Sequence, residues 1–294
     1  MTQKVLVLGG TRFFGRDLVE KLLEAGHSVT IATRGSTKDP FGDRVERLRV
    51  DRTDEAALGS AVHGRFWDIV YDNICYTADE ARAAIRVFTG KVGRYVLTSS
   101  LSVYEPGSAE RREEEVDTSA LELPSGPAGQ VSYGEGKAQA EAAFFQEAPF
   151  PASAARFPIV LGPHDYTKRL HFHVERIKNG TSFVMPNTEA RMCFIHEQEA
   201  AEFLKWLGEN DVTGPFNASS VGRPRLRELL AAIDRETGGQ AIVMPEGPDG
   251  EASPFGVPED WAMDLSRAQE AGFVFRQLDD WLPELIGVLA RGEA

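Results

Sequence analysis

Two cysteines, Cys75 and Cys193, are too few for a disulfide framework. Each stands in an apolar context, so two buried thiols are expected rather than a bridge. No Cys/His spacing resembles a zinc site, and no metal is expected. Long hydrophobic runs are also missing. None approaches the ~20 residues that span a bilayer. Met1-Thr2-Gln3-Lys4 runs straight into a strand-like segment, without the apolar core of a signal peptide. A soluble, cytoplasmic protein with no membrane partner is expected. Clustered basic charge is the third absence. The net charge is −13, and the one dense charge cluster, residues 110–115, is mainly acidic. A nucleic-acid surface needs grouped Lys and Arg to neutralise phosphates, so no nucleic-acid partner is expected. A small anionic ligand needs only a few local cations and stays open. The acidic cluster itself reads as a solvated face.

The 42% of hydrophobic residues is ample for a core, and 294 residues allow one large α/β domain or two closely joined ones. Val5-Leu6-Val7-Leu8 is a continuous apolar run, as expected of a strand buried on both faces. Glycines follow, then apolar residues at helical spacing over 14–25, with Gly26 as the stop. Further strands are expected at 28–33, 45–50, 69–71 and 95–97, with helices at 54–63 and 78–88. Such alternation implies a doubly wound parallel sheet with helices on both faces. The second half is less regular. Strands are expected at 152–157 and 216–218, and helices at 197–207, 226–237 and 278–289. The later segments should form a smaller lobe over the C-terminal edge of the sheet. Residues 107–130, rich in Pro, Gly, Ser and Glu, read as a loop.

Three segments carry chemistry. Gly9-Gly10-Thr11-Arg12-Phe13-Phe14-Gly15 lies between a strand and a helix, where glycines let the backbone approach a pyrophosphate at the helix N-terminus. By itself the pattern is weak, because tight turns of this kind also occur without ligands. In Tyr133-Gly134-Glu135-Gly136-Lys137 the tyrosine and lysine share one helical face. A nearby ammonium favours the phenolate, so the Tyr133 pKa is expected to fall from ~10 and make it a proton donor and acceptor. The same spacing also arises by chance on solvated helices. Thr98-Ser99-Ser100 is expected just after the fifth strand, where loops of a doubly wound sheet line the crevice. A hydroxyl there could hydrogen-bond a reacting oxygen, and a polar strand end is an equally good reading of that triplet.

Taken in order, these segments resemble the extended or atypical short-chain dehydrogenase/reductases, the NAD-dependent epimerase/dehydratase group. The glycine turn resembles that group's Gly-Gly-Thr-Arg-Phe-x-Gly variant. Ser100-Leu101-Ser102-Val103-Tyr104 resembles its serine segment and selects Ser100 over Ser99. Tyr133 and Lys137 match its Tyr-x-x-x-Lys. Arg156-Phe157-Pro158 with Leu161-Gly162-Pro163, Phe194-Ile195-His196, Phe216-Asn217-Ala218, and Asp264-Leu265-Ser266-Arg267 with Ala271-Gly272-Phe273 extend the resemblance over nearly the whole chain. Departures are Arg12 in place of the middle glycine, His196-Glu197-Gln198 in place of His-Val-Asp, and a lobe short for a sugar-nucleotide enzyme.

The resemblance implies a Rossmann fold of residues 1–162 with 191–219, and a substrate-binding lobe of residues 163–190 with 220–294. It implies catalysis by Ser100, Tyr133 and Lys137, with Tyr133 as general acid/base and Lys137 also holding the nicotinamide ribose. Gly9, Thr11, Arg12, Phe13, Phe14, Gly15, Arg34, Asp51, Asn73 and Phe157 would line the cofactor. Ser100 and Tyr133, with His164, Lys168, Arg169 and Arg191, would meet the substrate. The loop 163–169 equally reads as a solvated loop with ordinary charges. NADP is favoured over NAD, because the second strand ends Thr33-Arg34-Gly35 with no acid to meet a ribose hydroxyl. The expected activity is hydride transfer at a hydroxyl or keto carbon of a small substrate such as a sugar nucleotide, by an epimerase or reductase, with a homodimer as the candidate assembly. The alternative is a non-catalytic NAD(P)-binding or RNA-binding member of the same group.

Overall fold

The computed structural model describes residues 2–124 and 129–292. The first half runs β1 (Lys4–Leu8), α1 (Phe13–Glu24), β2 (Ser28–Thr33), β3 (Glu46–Arg49), α2 (Glu55–Ala61), β4 (Trp67–Asp72), α3 (Ala78–Phe88), β5 (Val92–Ser100), α4 (Tyr133–Glu147) and β6 (Ala152–Phe157). The second half runs β7 (Ile159–Leu161), α5 (Arg169–Lys178), β8 (Phe183–Val184), β9 (Phe194–His196), α6 (Glu197–Glu209), β10 (Gly214–Asn217), α7 (Leu226–Thr237), β11 (Val243–Met244), α8 (Ser266–Glu270) and α9 (Leu282–Arg291).

Seven strands form one parallel sheet in the order β10-β6-β5-β4-β1-β2-β3. The order reverses at β1, so the crevice beyond the C-terminal ends of β1 and β4 is the topological switch point. The apolar run of β1 explains its central place. Val5 and Val7 face the core under α1 and α6, while Leu6 and Leu8 face the core under α2, α3 and α4. A third core, built from α5, α7 and α9 with Phe183 and Phe255, forms the smaller lobe. Two short pairings, β7 with β9 and β8 with β11, join the later segments.

Several expectations need correction. Thr98-Ser99-Ser100 does not follow the fifth strand; it is the end of β5, because pairing with β6 continues to Ser100 opposite Phe157. The helix expected at 278–289 is broken into a 3-10 turn over Leu278–Asp280 and α9, where Pro283 lies in the first turn and needs no hydrogen-bond partner for its nitrogen. The acidic cluster is not wholly solvated. Glu113 is buried and accepts a 2.7 Å hydrogen bond from the Asn217 amide at the end of β10. Burial raises its pKa. Residues 125–128 of the expected 107–130 loop lie outside the described residues. Cys75 and Cys193 are free, buried thiols. Among the described residues no helix is long and apolar enough to cross a membrane, and no His/Cys/Asp/Glu group is placed to hold a metal ion.

Candidate active site

The glycine turn leads into α1, whose first turn carries no acid and whose N-cap residue, Arg12, makes no side-chain cap. The amides there are left for an anion. Gly15 is required by space: a Cβ would stand 2.7 Å from the Gly9 carbonyl and 3.1 Å from the Asn73 amide nitrogen. Phe13 adopts a φ of 51°, a left-handed conformation that costs a bulky residue about 1–2 kcal/mol. Its ring packs on Phe14 and, edge-on, on Tyr166, which offsets that cost.

Two joined cavities follow. One of about 450 Å³ lies over the ends of β1, β2 and β3, bordered by Gly9, Thr11, Arg12, Arg34 and Asp51. The other, about 220 Å³, lies under the lobe and is bordered by Ser100, Tyr133, Lys137, Phe157 and Arg169. Phe13, Phe14, Asn73, Tyr76 and Tyr166 belong to both, so the two form one crevice across the switch point. Asn73 accepts from Thr98 Oγ1 at 2.8 Å, yet its buried Nδ2 has no partner. An unsatisfied buried donor costs about 1–3 kcal/mol unless a ligand meets it. This donor, the Gly15 cradle and the cavity shape fit an extended dinucleotide.

Ser132 starts α4 with a capping box: its Oγ accepts from the Glu135 amide, and Glu135 accepts from the Ser132 amide at 2.8 Å. Tyr133 and Lys137 are thereby fixed one turn apart. Gly136 between them lets the helix press on the chain after β4, since a Cβ there would lie 2.5 Å from the Tyr76 carbonyl. Lys137 is buried and donates to the carbonyls of Cys75 at 2.6 Å and Thr98 at 2.8 Å. Its pKa is lowered by burial. Tyr133 and Ser100 border the same cavity. Ser100 in turn lies 3.1 Å from Ser102 Oγ.

The expected fall in the Tyr133 pKa is not found. Desolvation raises it, and Ser100 and the Arg169 charge oppose this only in part. The Lys137 ammonium is turned toward two backbone carbonyls and the Tyr76 ring, 4.4 Å from its centre. Tyr76 was not legible as a site residue, because an aromatic after a strand end carries no signal of its own.

The expected substrate residues separate. Arg169 borders the crevice at the start of α5. His164 turns to Glu197 at 2.7 Å and Arg16 at 2.9 Å. Lys168 is exposed in a left-handed conformation that starts α5 rather than lining the crevice. Arg191 reaches the Arg223 carbonyl at 3.1 Å instead. The loop expected over 163–169 therefore ends where Arg169 opens a helix.

The parallel sheet, glycine turn and Ser100, Tyr133 and Lys137 thus meet at one crevice across the switch point. Residues 5–82 match the model of the NAD dependent epimerase/dehydratase family. The chain is 27% identical over 235 residues, 74% of its length, to the chloroplast stem-loop binding protein of 41 kDa b of Arabidopsis thaliana. It is 33% identical over 107 residues, 36% of its length, to 2'-dehydrokanamycin reductase of Streptomyces kanamyceticus. It spans 58% and 30% of those two proteins. Among solved structures it resembles the UDP-glucose 4-epimerase of Thermotoga maritima in complex with UDP-glucose (TM-score 0.77, 16% identity, 99% of both chains). It also resembles the dTDP-glucose 4,6-dehydratase of Bacillus anthracis in complex with NAD (TM-score 0.78, 13% identity, 99% of this chain and 98% of that one).

Proposed function

We propose that the chain is an NADP(H)-dependent enzyme that transfers a hydride and a proton at one hydroxyl or keto carbon of a small substrate, as a reductase or an epimerase. The observation that carries this reading is the meeting of Ser100, Tyr133 and Lys137 in the crevice that continues to the glycine turn. The nicotinamide cofactor, when bound, supplies the hydride chemistry. Gly9, Thr11 and Gly15 would hold its phosphates, Asp51 its adenine, and Asn73 and Phe157 its nicotinamide half. Tyr133 gives or takes the proton at the substrate oxygen, and Ser100 orients that oxygen. Lys137 has spent two of its three N–H groups on carbonyls, which leaves the third for the cofactor ribose.

NADP is preferred in this reading because Arg12 and Arg34 border one cavity and β2 ends without an acid. A 2′-phosphate there would gain charge-assisted hydrogen bonds, stronger than neutral ones. The second reading rests on the stem-loop-binding relative: binding without catalysis. The intact Ser100, Tyr133 and Lys137 and the net charge of −13 support the enzyme instead.

Native mass spectrometry of the protein as purified, then with NADP⁺ and NAD⁺ added, tests the proposal. One nicotinamide dinucleotide per chain is expected. A tightly retained oxidised form marks an epimerase that regenerates it each cycle, and a readily exchanged one marks a reductase. Failure to bind either nucleotide would overturn the reading.

A further inference from the structure

The cavity around Tyr133 has an unusual charge inventory. Its lining contains no Asp or Glu, and Arg169 and Lys137 are its only cations. Lys137 is committed to two carbonyls, so Arg169 is the one mobile positive charge facing the space. No carboxylate of the described residues pairs with its guanidinium, although the chain carries 45 acids and most of its arginines near acids are bridged to them. The position is built. Buried Asp165 accepts from the amides of Thr167 at 2.9 Å and Arg169 at 3.2 Å, fixing the first residue of α5. Flat apolar surface faces the same space. The Trp261 indole is held by a 3.2 Å hydrogen bond from Nε1 to the Tyr104 carbonyl, and Tyr166, packed edge-on against Phe13, borders the same space.

Resting on the hydride-transfer reading, we infer that the substrate is a compact keto or hydroxy acid with a flat apolar body, its single carboxylate seated on Arg169. A nucleotide sugar does not suit this space. The space opens into the cofactor cavity, so charge rather than volume selects the substrate. A diphosphate would need further cations, and His164 and Arg191 are engaged elsewhere. A polyamine sugar would find no carboxylate to meet its ammonium groups. One guanidinium matches one carboxylate through two parallel hydrogen bonds.

The test is calorimetry on the NADP⁺-loaded protein with phenylglyoxylate, its methyl ester and UDP-glucose. The acid should bind about tenfold or more tighter than the ester, the scale of one charge-assisted pair. Arg169→Gln should abolish that preference while leaving the ester's affinity and the thermal midpoint unchanged, and Arg169→Lys should keep part of it. UDP-glucose should bind more weakly than the acid. Failure of the acid to outbind its ester, a preference that survives Arg169→Gln, or tighter binding of UDP-glucose would overturn the inference. NADPH oxidation is measured separately. Anion preference without oxidation of NADPH would sink the hydride-transfer reading alone, and oxidation without anion preference would sink this inference alone.

Discussion

The ammonium of Lys137 lies 4.4 Å from the centre of the Tyr76 ring, against 5.9 Å for the Tyr133 ring. The charge is thus spent on Tyr76 and on two carbonyls before it reaches Tyr133. The Tyr133 side chain is 54% exposed, and desolvation of its covered part is left to raise its pKa. In the cofactor-free protein Tyr133 should stay protonated through neutral and mildly alkaline pH. A spectroscopic phenolate titration, with Tyr133→Phe subtracted, checks this. A Tyr133 phenolate appearing well below pH 10 would contradict it.

Gly136→Ala sets two effects against each other. Alanine favours a helix interior by about 1 kcal/mol. Its Cβ, however, would meet the Tyr76 carbonyl at 2.5 Å, a backbone atom that cannot swing aside. Overpacking of this kind costs about 1–3 kcal/mol. A net loss of stability is expected, together with weaker cofactor binding, because the same chain segment supplies the Cys75 carbonyl that holds Lys137. Denaturant unfolding and a cofactor titration measure both. A stabilised variant would show that α4 does not press on this segment.

The sheet was legible because both-face burial leaves a mark: β1 carries a run of four apolar residues, Val5 to Leu8, and each falls in a core. The glycine turn and Tyr133 with Lys137 stand out in the sequence because each is a fixed spacing of particular residue types, and the fold brings both to one crevice. His164, Lys168 and Arg191 were not placed by sequence, since a surface cation takes its direction from tertiary partners such as Glu197. Tyr76 and the partnerless Asn73 Nδ2 depend on what the fold brings to them, and neighbouring residues carry no trace of that. Glu113 is hidden in its acidic run for the same reason, since only the fold brings it to the Asn217 amide at the end of β10.

His173 should couple stability to pH. It is fully buried, bonded to Ser253 Oγ at 2.7 Å and to the Arg169 carbonyl at 2.9 Å, and burial lowers its pKa from 6.5 to about 4. Above pH 6.5 it is neutral in both states and costs nothing. As the pH falls from 6.5 toward 4 the unfolded chain binds the proton first, so stability is lost, by up to roughly 3 kcal/mol. Glu113 and Glu199, whose pKa values are raised, act in the opposite sense. Comparing wild type with His173→Gln isolates the histidine: the variant should lose less stability between about pH 7 and about pH 4. Parallel losses would contradict the assignment.

Arg34→Ala tests the cofactor preference. Arg34 is exposed beside Arg12, whose Nε donates to Thr37 Oγ1 at 3.1 Å on the same rim. Wild type should bind NADP⁺ more tightly than NAD⁺. The variant should lose about tenfold or more in NADP⁺ affinity and little in NAD⁺ affinity, as expected for loss of a charge-assisted contact. A mutation that weakens both cofactors alike would show that the arginine does not read the phosphate.

The central claim is that Tyr133 moves the proton, supported by Ser100 and held in register by Lys137. Turnover of NADPH by Tyr133→Phe, with the carbonyl compound that wild type reduces fastest, tests it most directly. The account predicts an unchanged fold and cofactor affinity with turnover lower by about 10²–10⁴, the scale of losing a general acid/base. Near-normal turnover in that variant would contradict it.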